Sequence, residues 1–270
     1  MFPIIGMTNF DKVAEFHTAF NQPCNTSVNQ ELLHDFKMVS LRVKLIDEEF
    51  KELCQSKTMV EQLDAIGDLL YVVYGAGVCF GFDLNKEYTN YCVSMSNAGG
   101  IQCVVDYFNG KSNFEKSRDV YYVVDNPLKG KDITLEPKYI MNSNFINFAI
   151  QIKRLSYHLL MTDADAVCHS LIKMLSSIYI TCIMCKYNID EIFDIIHKSN
   201  MTKLCVSEFD AENTIAWYLT HEFERYKEPM YEKSKNGYYI IYDNATGKRL
   251  KSSNFTPPNI DVNKLYNINI

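Results

Sequence analysis

Five acidic residues at helical spacing stand close together in the first third of the chain. Glu52 lies three residues after Glu49 and four after Glu48, so a helix would turn all three towards one face. Asp64 and Asp68 are four residues apart and would share a face of the next helix. Carboxylates gathered at one place repel each other, so either their pKa values rise or a hard divalent cation neutralises them. Oxygen ligands alone favour Mg²⁺, Mn²⁺ or Ca²⁺ over zinc.

Two predicted helices carry these acids, one over residues 31–55 and a second one ending at Phe80. Leu41 and Leu45 precede the glutamates on the same stripe, so the acids continue an apolar stripe rather than a polar face. From Ala65 onwards the second helix is apolar almost all round, which is typical of a central buried helix. Unpaired aspartates are unfavourable there. These surroundings favour an acidic site, and the alternative is two ordinary helices with exposed acids.

The sequence around the acids resembles the all-α nucleoside-triphosphate pyrophosphatases, the MazG-like superfamily, which includes the dimeric dUTPases and dCTPases. The resemblance is carried by EEFKE followed by DAIGDLLYVVYGAG. Glu49 and Glu52 match the ExxE motif of that superfamily, and Asp68 matches the last acid of its ExxD motif. The first acid of ExxD falls on Ala65, and Asp64, one position earlier, is the expected substitute.

The resemblance implies an all-α fold built from four-helix-bundle-like units. It also implies a Mg²⁺-dependent nucleoside triphosphate pyrophosphohydrolase, with a deoxynucleotide as the expected substrate and with Mn²⁺ as an alternative metal. The products would be the monophosphate and pyrophosphate. The expected metal ligands are Glu48, Glu49, Glu52, Asp64 and Asp68. Glu49 or Glu48 would accept the proton of the attacking water. The sequence does not identify the base or the sugar.

A repeated pattern indicates that the chain is a tandem duplication. DVYYVVDNPLKGK at residues 119–131 is echoed by NGYYIIYDNATGK at residues 236–248, and each reads as a β-hairpin. We therefore predict two MazG-like units, residues 1–137 with the acidic site and residues 138–270 in degenerate form. Each unit would carry a small hairpin arm. Together they would form a pseudo-dimer within one chain, and a further homodimer remains open.

The second unit keeps different residues from the first. Lys153 and Arg154 stand where the first unit has its glutamates, so the second unit is not expected to hold the same metal. The segment from His197 to Lys203, HKSNMTK, matches in full the H-x-S-N-M-[ST]-K ending of one group of MazG-like proteins. It follows a helix predicted to end near Ser199. We expect one composite site, with metal from the first unit and phosphate contacts from the second.

Substrate contacts are predicted from this motif, from an N-terminal helix over residues 8–21 and from a C-terminal arm. Lysines would contact phosphate oxygens as point charges, helped by Lys153 or Arg154, and aromatic or amide groups of the first helix would read a base. The alternatives are a helix-end lysine that complements the helix dipole, a packed amphipathic helix and exposed hairpin lysines. His197 is expected to be structural. The predicted substrate-binding residues are Asn200, Lys203, Phe16, His17, Asn21, Lys248 and Lys251.

Composition argues against several other classes of protein. The net charge is −6, which gives no indication of nucleic-acid or membrane-surface binding. We expect no membrane-spanning segment and no signal peptide. The nine cysteines form no paired CxxC framework, so reduced thiols in a cytoplasmic compartment are expected.

Three function classes therefore stand at this point. The first is the metal-dependent hydrolase, and the second is a catalytically inactive nucleotide-binding pseudo-enzyme of the same fold with a regulatory or scaffold role. The third is a plain helical scaffold, which would make the convergent acids accidental. The loss of one acidic site and the Ala65 departure keep the second class open. Metal-dependent turnover separates the first class from the second, and nucleotide binding separates the second from the third.

Overall fold

The computed structural model describes residues 7–97, 137–185 and 187–262, and they form a helical bundle followed by a small sheet. This confirms the all-α prediction, with an antiparallel sheet of order β1-β2-β3 attached. The hairpin predicted at residues 119–131 lies outside the described residues. The elements are α1 (Asn9–Ala19), α2 (Gln30–His34), α3 (Phe36–Gln55), α4 (Met59–Phe80), α5 (Leu84–Asn97), α6 (Pro137–Leu160), α7 (Ala164–Met184), α8 (Ile189–Met201), α9 (Glu208–His221), β1 (Pro229–Lys233), β2 (Tyr239–Asp243) and β3 (Arg249–Leu250).

The prediction of a single helix over residues 31–55 is wrong in one respect, because the helix is interrupted at Asp35. The carboxylate of Asp35 accepts hydrogen bonds from the backbone N–H groups of Lys37 and Met38, so it caps α3 while it also ends α2. An aspartate that bonds the backbone ahead of it competes with helix continuation. The acidic helix therefore begins at Phe36.

Helix α4 lies at the centre of the bundle, in contact with α1, α3, α7 and α8. A capping box at Thr58 and Glu61 begins it, and Gly81 ends it with a left-handed φ of 84°. A Cβ at Gly81 would lie 1.8 Å from the carbonyl oxygen of Ser27. By length and apolar composition α4 alone among the described helices would be able to span a membrane. Its most apolar stretch is 83% buried inside the bundle, which accounts for that composition.

The apolar stripe of α3 is rotated from its predicted position. Leu41 is 45% exposed, whereas Arg42, Ile46 and Leu53 are buried. Glu49 continues this buried stripe at a spacing of three and four residues. The rotation therefore places Glu49 closest to the bundle interior among the glutamates of α3.

Two helical hairpins build the bundle, α3–α4 and α6–α7. Helix α3 packs on α6 and α4 packs on α7, so one hydrophobic core runs through both halves of the chain. Helices α1 and α8 pack together along α4 and close the side of the bundle on which the acids lie. The division into two duplicated units stays a prediction.

The small sheet packs against α9 and is joined to the bundle by a second apolar contact. Tyr218, Ile241 and Leu250 lie in the core between α9 and the sheet. Phe20 and Ile240 belong to a separate cluster that links the end of α1 to β2. This cluster attaches the sheet, and the chain that follows β3, beside the ends of α1 and α8.

Candidate functional site

The acids of α3 and α4 come together in the folded chain. The two helices are consecutive and pack against each other. Glu49 interacts electrostatically with Asp68 and Glu52, and Asp64 interacts with Glu52. Asp68 interacts in turn with Asp64 and Glu52. These four side chains, Glu49, Glu52, Asp64 and Asp68, are called the acidic group below.

Burial and the charges of neighbouring acids oppose ionisation of Glu49, Asp64 and Asp68. Burial, followed by the charges of Asp68, Glu52 and Glu48, raises the pKa of Glu49 to about 8. Burial, with Asp64 as the largest neighbouring charge, raises the pKa of Asp68 to about 6. Burial and the charge of Glu52 also raise the pKa of Asp64. Raised pKa values of this kind are typical of functional sites, where a bound cation or a proton offsets the gathered charge.

One carboxylate oxygen of the acidic group has no hydrogen-bond partner. Oδ1 of Asp64 is buried and accepts no hydrogen bond from the residues that the structure describes. A buried acceptor of this kind destabilises a fold unless something satisfies it. Within the described ranges, no three His, Cys, Asp or Glu side chains stand close enough to hold one ion as they are. The acidic group is therefore a set of carboxylate oxygens on two helices, and one of these oxygens is buried without a hydrogen-bond partner among the described residues.

Two lysines face the acidic group from the second half of the chain. Lys203, just after α8, lies within electrostatic reach of Asp68, Glu49 and Asp64. Burial lowers the pKa of Lys203, and Lys251 adds to this effect, against the attraction of the three carboxylates. Lys251 also acts on Asp64 and Asp68. The structure thus brings acids from one half and lysines from the other to one place.

The HKSNMTK motif holds these two lysines side by side. Oγ of Ser199 donates to the carbonyl oxygen of Thr256 (2.8 Å). The backbone N–H of Ser252 donates to the carbonyl oxygen of Lys203 (3.0 Å). These bonds attach the chain after β3 to the end of α8. Lys251 belongs to this attached segment. The motif therefore contains Lys203 itself and holds Lys251 through the hydrogen bonds to the chain after β3.

Asn200 lies inside α8 rather than after it. The helix runs to Met201, whereas the sequence placed its end near Ser199. Oδ1 of Asn200 accepts a hydrogen bond from Nζ of Lys203 (2.6 Å). Asn200 therefore reaches the acidic group through Lys203.

Three residues proposed from the sequence lie elsewhere. Glu48 is exposed and pairs with Lys44 at 3.5 Å. Nζ of Lys248 lies 5.6 Å from the ring centroid of Tyr226, on the sheet. Arg154, offered as a partner of Lys203, lies instead on the second hairpin, where its charge acts on His169 of α7. The fold gives Lys248 and Arg154 no visible part in the acidic group, and Glu48 acts on it only through the effect of its charge on Glu49.

The residues of α1 divide between the site and the rest of the fold. Phe16 packs edge-on against Tyr71 with ring centroids 5.4 Å apart, and Tyr71 follows Asp68 by one turn of α4. Asn21 bonds the sheet instead: its Nδ2 donates to Oε1 of Glu232 (3.5 Å), and its Oδ1 accepts from the backbone N–H of Lys235 (3.3 Å). Phe16 therefore borders the site, whereas the amide of Asn21 is already bonded.

His17 is a buried, neutral histidine between α1 and α4. Its side chain is 2% exposed, and its Nδ1–H donates to the carbonyl oxygen of Pro23 (2.7 Å). Burial, with the Arg42 guanidinium as the nearest charge, lowers the pKa of His17 to about 4. The ring lies against Gly75. These contacts give His17 a structural part in the α1–α4 contact.

Protonation of His17 should destabilise the fold at mildly acidic pH. The unfolded histidine titrates at about 6.5 and the folded one at about 4, so the unfolded state binds more protons between these values. The free energy of unfolding should therefore fall as pH drops from 7 to 4.5, by about 2 kcal/mol from this group alone. Urea unfolding at both pH values would measure it. His17→Asn should lose this part of the pH dependence, whereas His34→Asn, at an exposed histidine, should keep it. An unchanged pH dependence in His17→Asn would contradict the assignment.

Tyr71 is a site residue that the sequence analysis missed. It is 6% exposed on α4, and burial, followed by the charges of Glu15 and Asp68, raises the pKa of its hydroxyl. A signal was present, because residues three apart on a helix share a face and Tyr71 follows Asp68 by three. Within an apolar helix the tyrosine looked like one more core residue.

The chain is similar in sequence to known proteins. The sequence profile of the family described as "Phosphoribosyl-ATP pyrophosphohydrolase" matches residues 13–90, a range that contains the whole acidic group. An uncharacterized protein of Acanthamoeba polyphaga mimivirus is 32% identical over 261 residues, which cover 93% of this chain and 94% of that protein. No solved structure gives a significant match.

Proposed function

Because the chain belongs to the MazG-like superfamily, the all-α nucleoside-triphosphate pyrophosphatases, we propose that it hydrolyses a nucleoside triphosphate to the monophosphate and pyrophosphate. Family membership supports a nucleotide pyrophosphohydrolase activity in general. The choice of a triphosphate, and of a deoxynucleotide in particular, is our proposal and rests on the resemblance of the acidic helices to that superfamily.

The observation that carries the proposal is the meeting of the acidic group with two lysines. A nucleoside triphosphate with a divalent cation carries negative charge on its phosphates and positive charge on the cation, and the site contains side chains of both opposite charges. The acidic group supplies oxygen donors from α3 and α4, and Lys203 and Lys251 supply cations that would contact phosphate oxygens. A solvated acidic surface would need neither the half-buried Lys203 nor the unpartnered Oδ1 of Asp64.

The donor set fits a hard divalent cation, Mg²⁺ or Mn²⁺, because it is made of carboxylate oxygens and one of them is buried without a partner. Glu49, Glu52, Asp64 and Asp68 would hold it. When bound, such a cation offsets the charge of the phosphate chain and lowers the pKa of a coordinated water.

The side chains themselves would divide the remaining work. Water attacks one phosphorus atom, the phosphoanhydride oxygen leaves with pyrophosphate, and the water loses a proton. Glu49, as the glutamate not fully engaged by the cation, is the proposed acceptor of that proton, because burial and its acidic neighbours raise its proton affinity. Lys203 and Lys251 would orient the phosphate chain, and Phe16 would border the nucleoside end.

The cellular setting is also a proposal. The cysteines among the described residues form no disulfide, which supports a reducing, cytoplasmic compartment. We propose a nucleoside triphosphate as the partner, with no nucleic acid and no membrane. The two halves would act as a pseudo-dimer within one chain.

A pseudo-enzyme of the same fold is the second candidate, and Ala65 favours it. Ala65 is 6% exposed at the position where the superfamily has the first acid of ExxD. Asp64, one residue earlier, is turned by about 100° around the helix, which changes how it would meet a cation. A protein with this change would bind a nucleotide without turnover.

Pyrophosphate release from a panel of ribo- and deoxynucleoside triphosphates tests the proposal. We expect release that requires Mg²⁺ or Mn²⁺, stops with EDTA and favours one nucleotide. Nucleotide binding without release from any member of the panel would instead support the pseudo-enzyme. If the protein neither releases pyrophosphate from any nucleotide nor binds one, both candidates are contradicted.

A further inference from the structure

A chain of hydrogen bonds leads from α1 to the acidic group through buried side chains. Nε2 of His197 lies 3.1 Å from Oε2 of Glu15, and Nδ1 of His197 lies 3.0 Å from the hydroxyl of Tyr71. The side chain of Asn200 lies close enough to the hydroxyl of Tyr71 to lower its pKa by hydrogen bonding, against the larger effect of burial. Asn200 in turn holds Lys203 at 2.6 Å. Five side chains from α1, α4 and the end of α8 are thus linked in sequence.

The two ends of this chain decide the direction of every hydrogen bond in it. A carboxylate only accepts and an ammonium only donates. Nε2–H of His197 therefore donates to Glu15, which leaves Nδ1 as an acceptor for the Tyr71 hydroxyl while the imidazole is neutral. Burial lowers the pKa of His197, which favours that neutral form. At the other end, Asn200 must turn Oδ1 towards Lys203, so its Nδ2 donates to Tyr71.

The surroundings hold the middle of the chain in one arrangement. His197 is 9% and Asn200 6% exposed. The ring of Tyr71 stacks on Phe193 with centroids 5.3 Å apart and meets Phe16 edge-on. Tightly packed rings and amides of this kind have few alternative rotamers. The tautomer of His197 that Glu15 selects therefore sets the direction of the Tyr71 hydroxyl and, through it, the orientation of the Asn200 amide.

We propose that Glu15, His197 and Tyr71 are positioning residues that fix the amide of Asn200 and so aim Lys203 at the phosphate chain. This inference rests on the proposed function, in which Lys203 contacts phosphate. Glu15 stands on the outer side of the chain, away from the reacting atoms, and acts only through His197. The HKSNMTK motif thereby gains a role for its histidine, which orients Tyr71.

Tyr71→Phe tests the proposal, with Tyr74→Phe as a matched control. Both changes remove one buried hydroxyl from α4, and among the described residues the hydroxyl of Tyr74 bonds that of Tyr179, 2.8 Å away and outside the proposed site. We expect Tyr71→Phe to raise KM for the preferred nucleotide about five- to tenfold with a smaller change in kcat. Tyr74→Phe should leave KM within about twofold of the wild type while it loses similar thermal stability. Equal KM values in the two variants would overturn the proposal.

Glu15 gives a second test that does not involve a core residue. Glu15→Gln keeps an oxygen that accepts from Nε2–H of His197, whereas Glu15→Ala removes the group that selects the tautomer. We expect a raised KM in Glu15→Ala and a KM near the wild-type value in Glu15→Gln. Similar KM values in both variants would count against the chain.

Failure of the proposed function can be told apart from failure of this inference. If the wild type releases no pyrophosphate, calorimetric binding of inorganic tripolyphosphate with Mg²⁺ replaces turnover as the readout. Weaker binding by Tyr71→Phe than by Tyr74→Phe then supports the positioning role, and equal binding overturns it. If the wild type binds no tripolyphosphate, the proposed function and the positioning role are both overturned, because Lys203 would have no phosphate to contact.

Discussion

Asp68→Asn should lower the rate of metal-dependent pyrophosphate release by about a thousandfold or more. Asp68 interacts with Asp64, Glu52 and Lys203 at once, so it occupies the centre of the site. Asparagine has nearly the same shape but supplies no charge. The proposed cation would lose a ligand, and Lys203 would lose its largest attractive partner.

The same change should leave the fold intact without metal. Burial raises the pKa of Asp68 to about 6, so at pH 7 its ionised form lowers the stability of the folded state relative to the unfolded one. A neutral asparagine avoids this effect. We expect the melting temperature of metal-free Asp68→Asn to equal or exceed that of the wild type. Added Mg²⁺ or Mn²⁺ should raise the melting temperature of the wild type and should have little effect on the variant.

Asp47→Asn is a suitable control for this experiment. Asp47 lies on α3 close to the acidic group in sequence but forms an exposed ion pair with Lys51. Exposed pairs contribute little to stability, so this variant should behave as the wild type in turnover and in its response to metal. Wild-type turnover by Asp68→Asn would remove the acidic group from the proposed mechanism.

Lys203→Met should reduce turnover about a hundredfold or more, with a large part of the loss in KM. Methionine has a similar length and apolar stem but carries no charge. The change removes the half-buried ammonium that faces both the acidic group and the proposed phosphate chain. Lys203→Arg is expected to recover only part of the activity, because a planar guanidinium cannot occupy the position of a point charge bonded to Asn200.

Lys198→Met provides the matched control on the same segment. Lys198 belongs to the HKSNMTK motif but is exposed on α8. Its loss should change neither kcat nor KM by more than about twofold, since a solvated lysine makes little difference to a site from which it points away. If Lys203→Met and Lys198→Met have the same turnover, Lys203 has no special part in the reaction.

Local signals predicted the helices that carry the site, because the interactions that begin and end a helix lie within a few residues. Thr8 and Thr58 act as capping residues, and Gly81 adopts the left-handed conformation that ends α4. Asp35 was the exception. Its capping bonds compete with an uninterrupted helical pattern on both sides, and the pattern alone does not show which prevails.

The acidic part of the site was also predictable, whereas its other half was not. Glu49, Glu52, Asp64 and Asp68 are close in sequence and lie on helices of known period, so their convergence follows from spacing. The resemblance to a known motif suggested Lys203, but spacing does not show that it faces Asp68. Lys248 and Lys251 looked equivalent in sequence, and only Lys251 lies within reach of the acids.

The sequence by itself determined the chemistry that this protein has available: paired carboxylates on a central helical hairpin, with lysines far along the chain. Only the tertiary structure decided which lysines meet the carboxylates, and that Tyr71 and His197, 126 residues apart, join in one hydrogen-bonded chain. The physical reason is the range of the interactions. Helix periodicity and capping act within one or two turns, whereas contacts between α1, α4 and α8 depend on how whole apolar faces pack in three dimensions.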